Sequence, residues 1–411
     1  MAKKSNGFGG GSIFDIVKSV DSSAEIIGQS QLAVIKEYID TGSYILNAAL
    51  TGSLFKGVPS GRVLTLSGVS GAGKSYLALS ICRNAQKMGY TPIYMDSEGA
   101  IDIDTVRRIG CDTNNFILKQ VNTLSEVANF MINIINKLKE VPEENRQKVI
   151  FVLDSLSNCT SDKELRDITE GTGKQDMTKQ KEIKALYRVV LTPMNQLQIP
   201  FVVNTHTYKT QDLFAKDVVS GGTGVAYGGS LTLMLSPAKL DDKESDKIAE
   251  GKTGEYVKTG VVVTAKTDKS RFTIPQRVKF TIPYFKAPNP YVGLNQYITW
   301  ENSGILQGKL ISEKEYSKLT DAEKAKCHEM TAEDGSVAYA YPKDTARTIV
   351  VKHLGAEIDM KELFTPKVFT EELLRKLDEE VIRPNFELPD QDSSRDIEEM
   401  FGEGEDNGSE S

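Results

Sequence analysis

The sequence predicts an α/β fold built on a mostly parallel central sheet. Three observations predict it. From about residue 48, apolar runs that read as strands alternate with stretches of helical periodicity. The segment "GVSGAGKS", Gly68–Ser75, fits G-x-x-x-x-G-K-[ST] and lies between one such strand and one such helix. Acidic residues stand where neighbouring strands end: Asp96 and Glu98 after "PIYM", and Asp154 after "VIFVL".

The elements follow in order. Residues 1–12 are rich in glycine, and "SIFDIVKSVDSSAEIIG" reads as a short amphipathic helix and linker outside the core, so residues 1–37 form an N-terminal segment. Ile13, Phe14, Val17, Ile26 and Ile27 could pack on a second protomer or fold back on their own core. "RVLTLSG" is a buried strand and residues 74–88 the helix after it. "TPIYMDSE" is a second strand, and residues 124–139 carry an apolar stripe at helical spacing. "KVIFVLDS" is apolar on both faces, as a central parallel strand must be. A long helix bearing Ile183, Leu186, Tyr187, Val190, Leu191, Met194 and Leu197 leads to the strand "IPFVVNTH". "SLTLMLS", "GVVVTAKT" and "TIPQRVKFTIP" read as further strands, with a charged excursion at 239–258. Beyond residue 300 the periodicity weakens, and residues 301–385, with a helix near 370–382, read as a small C-terminal domain.

Composition excludes several classes. With 39% hydrophobic and 26% charged residues among 411, the chain has an ordinary globular make-up. No run of 18 apolar residues exists, so no membrane span is expected, and no apolar stretch follows Lys3 and Lys4 as a secretory signal requires. Cys82, Cys111, Cys159 and Cys327 are scattered without a C-x-x-C, which fits reduced thiols and a cytoplasmic location. Cys327 and His328 are adjacent, but no second pair completes a metal site. The net charge of −7 is concentrated: residues 386–411 hold ten acids and one base, leaving the other residues at +2. This acidic, aromatic-poor tail reads as disordered, and could serve solubility, hold a partner or mimic phosphate charge.

The glycines of Gly68–Ser75 let the backbone aim successive N–H groups at phosphate oxygens, and the helix that follows adds its N-terminal dipole. Gly68, Val69, Ser70, Gly71, Ala72, Gly73, Lys74 and Ser75 are therefore the nucleotide-binding candidates. Lys74 suits the β- and γ-phosphates and Ser75 a Mg²⁺ ion. Asp154 at the end of a buried strand suits the same metal through water. Glu98 is the candidate base that orients and deprotonates the attacking water, with Asp96 supporting the strand end. His206, ending "VVNTH", could sense the γ-phosphate, although a lone histidine is commonly just a hydrogen-bonded one.

These strand ends together resemble one family. The chain looks like the RecA-type ATPases, and within them the phage UvsX homologous recombinases. The segments that carry the resemblance are "IDTGSYILNAAL", "GVSGAGKS", "YMDSEGAI", "VIFVLDSLSN", "HTYKTQDLF", "SGGTG", "DKSR" and "PNPYVGL", in order over residues 38–295. The resemblance implies a RecA-like P-loop core over residues 38–300 that uses ATP and Mg²⁺. It implies that Glu98 is the catalytic glutamate and that His206 links the γ-phosphate to the DNA loop after it. Asp102 and Tyr284 match positions that contact adenine. Lys269 and Arg271 of "DKSR" match a basic pair that reaches the ATP of the neighbouring protomer, as an arginine finger does; without the resemblance they would be ordinary exposed charge.

The resemblance also makes residues 157–178 and 207–229, both polar and read as strandless, the two DNA-binding loops. Neither is basic, so contacts are expected from backbone N–H groups, helix N-termini and a few lysines such as Lys209 and Lys216. Gly221, Gly222 and Gly224 suit close backbone approach to phosphates. Ala226 and Tyr227 stand where cellular RecA has lysine and phenylalanine. The implied protein is a DNA-dependent ATPase that forms helical filaments on single-stranded DNA and pairs it with double-stranded DNA, helped by a single-strand-binding protein and a loading mediator. The alternatives are a hexameric RecA-fold helicase and a mediator that holds ATP as a structural ligand.

Overall fold

The computed structural model describes residues 12–30, 34–171, 178–209, 217–220, 225, 228–237, 260–283 and 287–388. Among these, seventeen strands fall into four sheets. A short antiparallel pair, β1 (Tyr38–Ile39) and β2 (Val58–Pro59), brackets helix α2 (Tyr44–Thr51). Before it, α1 (Ile13–Val20) has a capping box of Ser12 and Asp15 but buries none of its residues, so the N-terminal helix stands off the core as its sequence suggests.

The central sheet has eight strands in the order β12-β11-β10-β3-β7-β6-β4-β5. They are β3 (Val63–Gly68), β4 (Tyr90–Asp96), β5 (Ile117–Gln120), β6 (Lys148–Asp154), β7 (Phe201–Thr205), β10 (Leu231–Pro237), β11 (Gly260–Lys269) and β12 (Arg277–Pro283). Six run parallel; β11 and β12 add an antiparallel edge. The mostly parallel α/β expectation therefore holds.

Residues of the inner strands alternate between two buried layers, the period of two that a doubly covered strand requires. Val149, Phe151 and Leu153 of β6 face α5 (Leu124–Glu140) and α7 (Lys179–Gln196). Ile150 and Val152 face the opposite layer, with α2, α3 (Lys74–Lys87) and α4 (Ile103–Ile109). That second layer continues into the C-terminal part, where Ile349, Val351, Phe369 and Leu374 join the same buried cluster.

Residues 301–385 form an antiparallel sheet of five strands, β14-β15-β13-β16-β17: β13 (Ile305–Ser312), β14 (His328–Thr331), β15 (Val337–Pro342), β16 (Thr348–Val351) and β17 (Ala356–Asp359). Helix α8 (Glu371–Leu377) then passes through one π-turn, Asp378–Ile382, into α9 (Arg383–Phe386). Asp378 is buried there. Its carboxylate accepts from Leu54 N at 2.6 Å, Ser53 Oγ at 3.0 Å and Arg383 Nε at 3.0 Å.

Three stretches depart from the sequence expectation. The stretch 207–229 is not strandless: β8 (Thr207–Lys209) pairs antiparallel with β9 (Asp217–Val219). Three-residue polar strands carry too little apolar alternation to be read as such. In 157–178, α6 (Asp162–Thr169) forms on the Ser161 cap, with Leu165 and Ile168 exposed. The tail boundary also shifts. Phe386 is buried and meets the Tyr297 ring edge-on at 5.4 Å, and Glu387 bridges to Thr273, so the fold extends past 386. The residues from 389 onward and the excursion at 239–258 lie outside the described residues.

Candidate active site

The phosphate loop leaves the C-terminal end of β3 and enters α3. Two glycines show why the motif needs them. Gly73 has φ +85°, and a Cβ there would lie 2.0 Å from Ile282 Cδ1. A Cβ on Gly68 would lie 2.3 Å from the carbonyl oxygen of Leu235 on the neighbouring strand. Lys74 closes the loop on itself: Nζ donates to the carbonyl oxygens of Gly68 at 2.9 Å and Val69 at 3.0 Å. Burial pushes the Lys74 ammonium below the ordinary lysine range, and the Asp154 and Glu98 carboxylates pull it partly back.

A cavity of about 270 Å³ opens over this loop. Ser70, Gly71, Gly73, Lys74 and Ser75 line one side; Glu98, Asp154 and His206 line the other, with Ile282 and Pro283 of β12 at its wall. The strand order brings these residues together, since β3, β7, β6 and β4 are consecutive neighbours that all end at this edge. Asp154 Oδ2 accepts from Tyr94 OH at 2.6 Å, and burial followed by the Asp154 charge pushes that phenol well up, so it keeps its proton. The Asp154–Ser155 peptide is cis. Asp96 acts as the strand-end support: Oδ1 accepts from Glu98 N and Gly99 N, both at 2.9 Å, and Oδ2 from Ile101 N at 3.3 Å.

The donor set fits Mg²⁺ and a nucleoside triphosphate. Ser75 and the carboxylates of Asp154 and Glu98 face one cavity, and Mg²⁺ prefers such oxygen ligands, one or two carboxylates combined with phosphates. Asn204, one residue before the end of β7, is fully buried, and its side-chain nitrogen and oxygen have no hydrogen-bond partner among the described residues.

Glu98 is tied to both loop roots. Ser155 Oγ donates to Glu98 Oε1 at 2.6 Å, the Ser155 and Ser157 hydroxyl oxygens are 3.1 Å apart, and His206 N donates to Ser157 Oγ at 3.2 Å. His206 Nε2 lies 3.4 Å from the same Glu98 oxygen. Beyond His206, Ser220 N donates to its carbonyl at 2.8 Å, closing the β8–β9 hairpin against β7. Lys179 Nζ, at the start of α7, donates to Ser157 O at 2.9 Å. Sequence reading missed Ser155, Ser157, Tyr94 and Asn204, because serine, tyrosine and asparagine near strand ends carry no motif; only their convergence in space marks them.

Other expected site residues lie elsewhere. Asp102 is an exposed N-cap of α4, accepting from Thr105 N at 2.8 Å, and is outside the cavity lining. Lys269 and Arg271 sit at the opposite sheet edge. Lys269 pairs with Thr232, which pairs with Thr65 near the start of β3, whereas the phosphate loop leaves from Gly68 at its end. Arg62, just before β3, belongs to the same edge: burial and then Arg271 lower its pKa, and burial and then Arg271 also lower that of Lys269. One chain therefore does not bring these cations to its own phosphate loop. Tyr284, Lys216, Gly221, Gly222 and Gly224 lie outside the described residues, and of Lys209 only the backbone, in β8, is described.

The RecA N-terminal domain family matches residues 11–284. The chain is 29% identical over 263 residues to the recombination and repair protein of Enterobacteria phage T4, covering 63% of this chain and 62% of that protein. It is 36% identical over 97 residues to Protein RecA of Heliobacterium modesticaldum, covering 24% of this chain and 27% of that protein. It is 27% identical over 238 residues to the mitochondrial DNA repair protein recA homolog 3 of Arabidopsis thaliana, covering 58% and 51%. Each match spans less than two thirds of the relative's own length. The family match takes in the phosphate loop, Glu98, Asp154, His206 and every strand of the central sheet, and the chain belongs to the RecA family.

Proposed function

We propose that this protein is an ATP-dependent recombinase that polymerises on single-stranded DNA and exchanges it with a homologous duplex. One observation carries the reading: Glu98, in the cavity over the phosphate loop, is hydrogen-bonded through Ser155 and Ser157 to the roots of the two segments read as DNA loops. A site built only to hold ATP has no need of that connection.

In this reading the loop backbone and Lys74 bind the β- and γ-phosphates, exchanging the carbonyls of Gly68 and Val69 for phosphate oxygens. Ser75 and Asp154 hold Mg²⁺, which neutralises charge on the phosphates. Glu98 orients a water and accepts its proton, and His206 contacts the γ-phosphate and carries its state into the β8–β9 hairpin. Lys269 and Arg271 act on the nucleotide of the next protomer, which accounts for their place at the far sheet edge. Asp102 and Tyr284 contact the adenine. The two loops, with Lys209, Lys216, Gly221, Gly222 and Gly224, grip the DNA backbone without reading sequence. A single-strand-binding protein and a loading mediator would assist. Among the described residues no helix is long and apolar enough to cross a membrane. The host cytoplasm is the proposed setting.

The test is ATP turnover with and without single-stranded DNA, with Glu98→Gln alongside. DNA should stimulate turnover strongly, and Glu98→Gln should lower it by about 10²-fold or more. Turnover indifferent to DNA would sink the reading. DNA-dependent turnover with duplex unwinding and no strand exchange would favour a ring helicase.

A further inference from the structure

We propose that Ser157 is a positioning residue that couples the roots of both loops to Glu98 through its hydroxyl. The inference deepens the proposed function and rests on it.

The proton arrangement follows from what each group can do. A backbone N–H only donates, so His206 N gives its hydrogen to Ser157 Oγ at 3.2 Å. An ionised carboxylate only accepts, so the Ser155 hydroxyl proton goes to Glu98 Oε1 at 2.6 Å. Each hydroxyl has one proton, and that of Ser155 is spent. Across the 3.1 Å between the two serines the donor is therefore Ser157. The chain runs one way, His206 N–H to Ser157 to Ser155 to the Glu98 carboxylate, and bonds aligned head to tail polarise one another. The His206 ring, 3.4 Å from the same oxygen, closes the circuit.

Position makes this circuit a coupling device. Ser157 opens the first loop segment just past the end of β6, and its carbonyl accepts from Lys179, where that loop ends in α7. His206 is the residue from which the second loop departs, and its carbonyl is held by Ser220 on the returning side. A movement of either root changes the geometry at Ser157, and Glu98 feels it through one intervening hydroxyl. Ser157 does not line the cavity itself, so its effect falls on the turnover step rather than on nucleotide affinity.

The experiment compares parent, Ser157→Ala and Ser157→Thr for kcat and KM with and without single-stranded DNA, with thermal melting to check folding. In Ser157→Ala, kcat with DNA should fall about fivefold, the fold-change for losing one neutral hydrogen bond, and stimulation by DNA should shrink. KM for ATP should stay within about twofold. Ser157→Thr keeps the hydroxyl and should recover most of the rate. Parent-like kcat and stimulation in Ser157→Ala overturn the proposal, as does an equal loss in Ser157→Thr, or a loss confined to KM. A parent whose turnover ignores DNA overturns the proposed function as well, and is recognised from the parent alone.

Discussion

At the scale of single residues, burial places the Lys74 ammonium below the 10.5 of an ordinary lysine, and the nearby carboxylates only partly offset this. The sign is clear: as pH rises toward that depressed value, the side chain loses its proton and with it the attraction for a triphosphate. Fluorescent-nucleotide titrations between about pH 7 and pH 10 should show affinity falling at the alkaline end, while Lys74→Arg, whose guanidinium stays charged, should show a flatter profile. A flat parent profile would mean that Lys74 keeps its proton throughout this range. The phosphate loop was legible at this scale because its motif is contiguous and its glycines answer to local sterics, a Cβ at Gly73 meeting Ile282. Ser155 and Ser157 were not. They stand one and three residues past Asp154, the last residue of β6, and gain meaning only when β4, β6 and β7 lie side by side.

At the scale of elements, alternation of apolar runs and helical stripes was enough to place the inner strands, because a strand covered on both faces is apolar throughout. One edge strand and the short elements escaped. β5 has Ile117 and Leu118 about half exposed, and the β8–β9 pair is three residues long on each side. The C-terminal sheet mixes exposed and buried positions too irregularly for its five strands to be read. The helices after it hold to the core through a buried carboxylate. Asp378 satisfies Leu54 N, Ser53 Oγ and Arg383 Nε together, so Asp378→Ala strands three donors. Urea unfolding should show a loss of about 2–4 kcal/mol. A loss below about 0.5 kcal/mol would mean that water replaces the carboxylate without cost.

At the scale of the whole molecule, the sheet separates two sets of groups. Lys74, Glu98, Asp154 and His206 gather at one edge, while Arg62, Lys269 and Arg271 gather at the other. The proposed function needs two protomers to bring them together. Mixing supplies the test. Lys269→Ala and Glu98→Gln should each lose DNA-stimulated turnover alone, and an equal mixture should recover up to about a quarter of the parent rate, from junctions where an intact Glu98 meets an intact Lys269. No recovery would place Lys269 in its own chain's site or in the fold. Sequence alone could suggest this division only through resemblance, since nothing in "DKSR" says which edge it occupies.

The end of the described chain has a practical consequence. The turn that carries Lys269 and Arg271 leans on the C-terminal segment: Ile274 N donates to Phe386 O at 3.1 Å, Gln276 Nε2 donates to Asn385 O at 2.9 Å, and Thr273 bridges to Glu387. A shortened version of the protein, or one carrying a fused label, should therefore be cut or joined beyond Leu388. Removing residues 386–411 together would take away a wall of that turn along with the acidic tail, and the two effects could not be told apart.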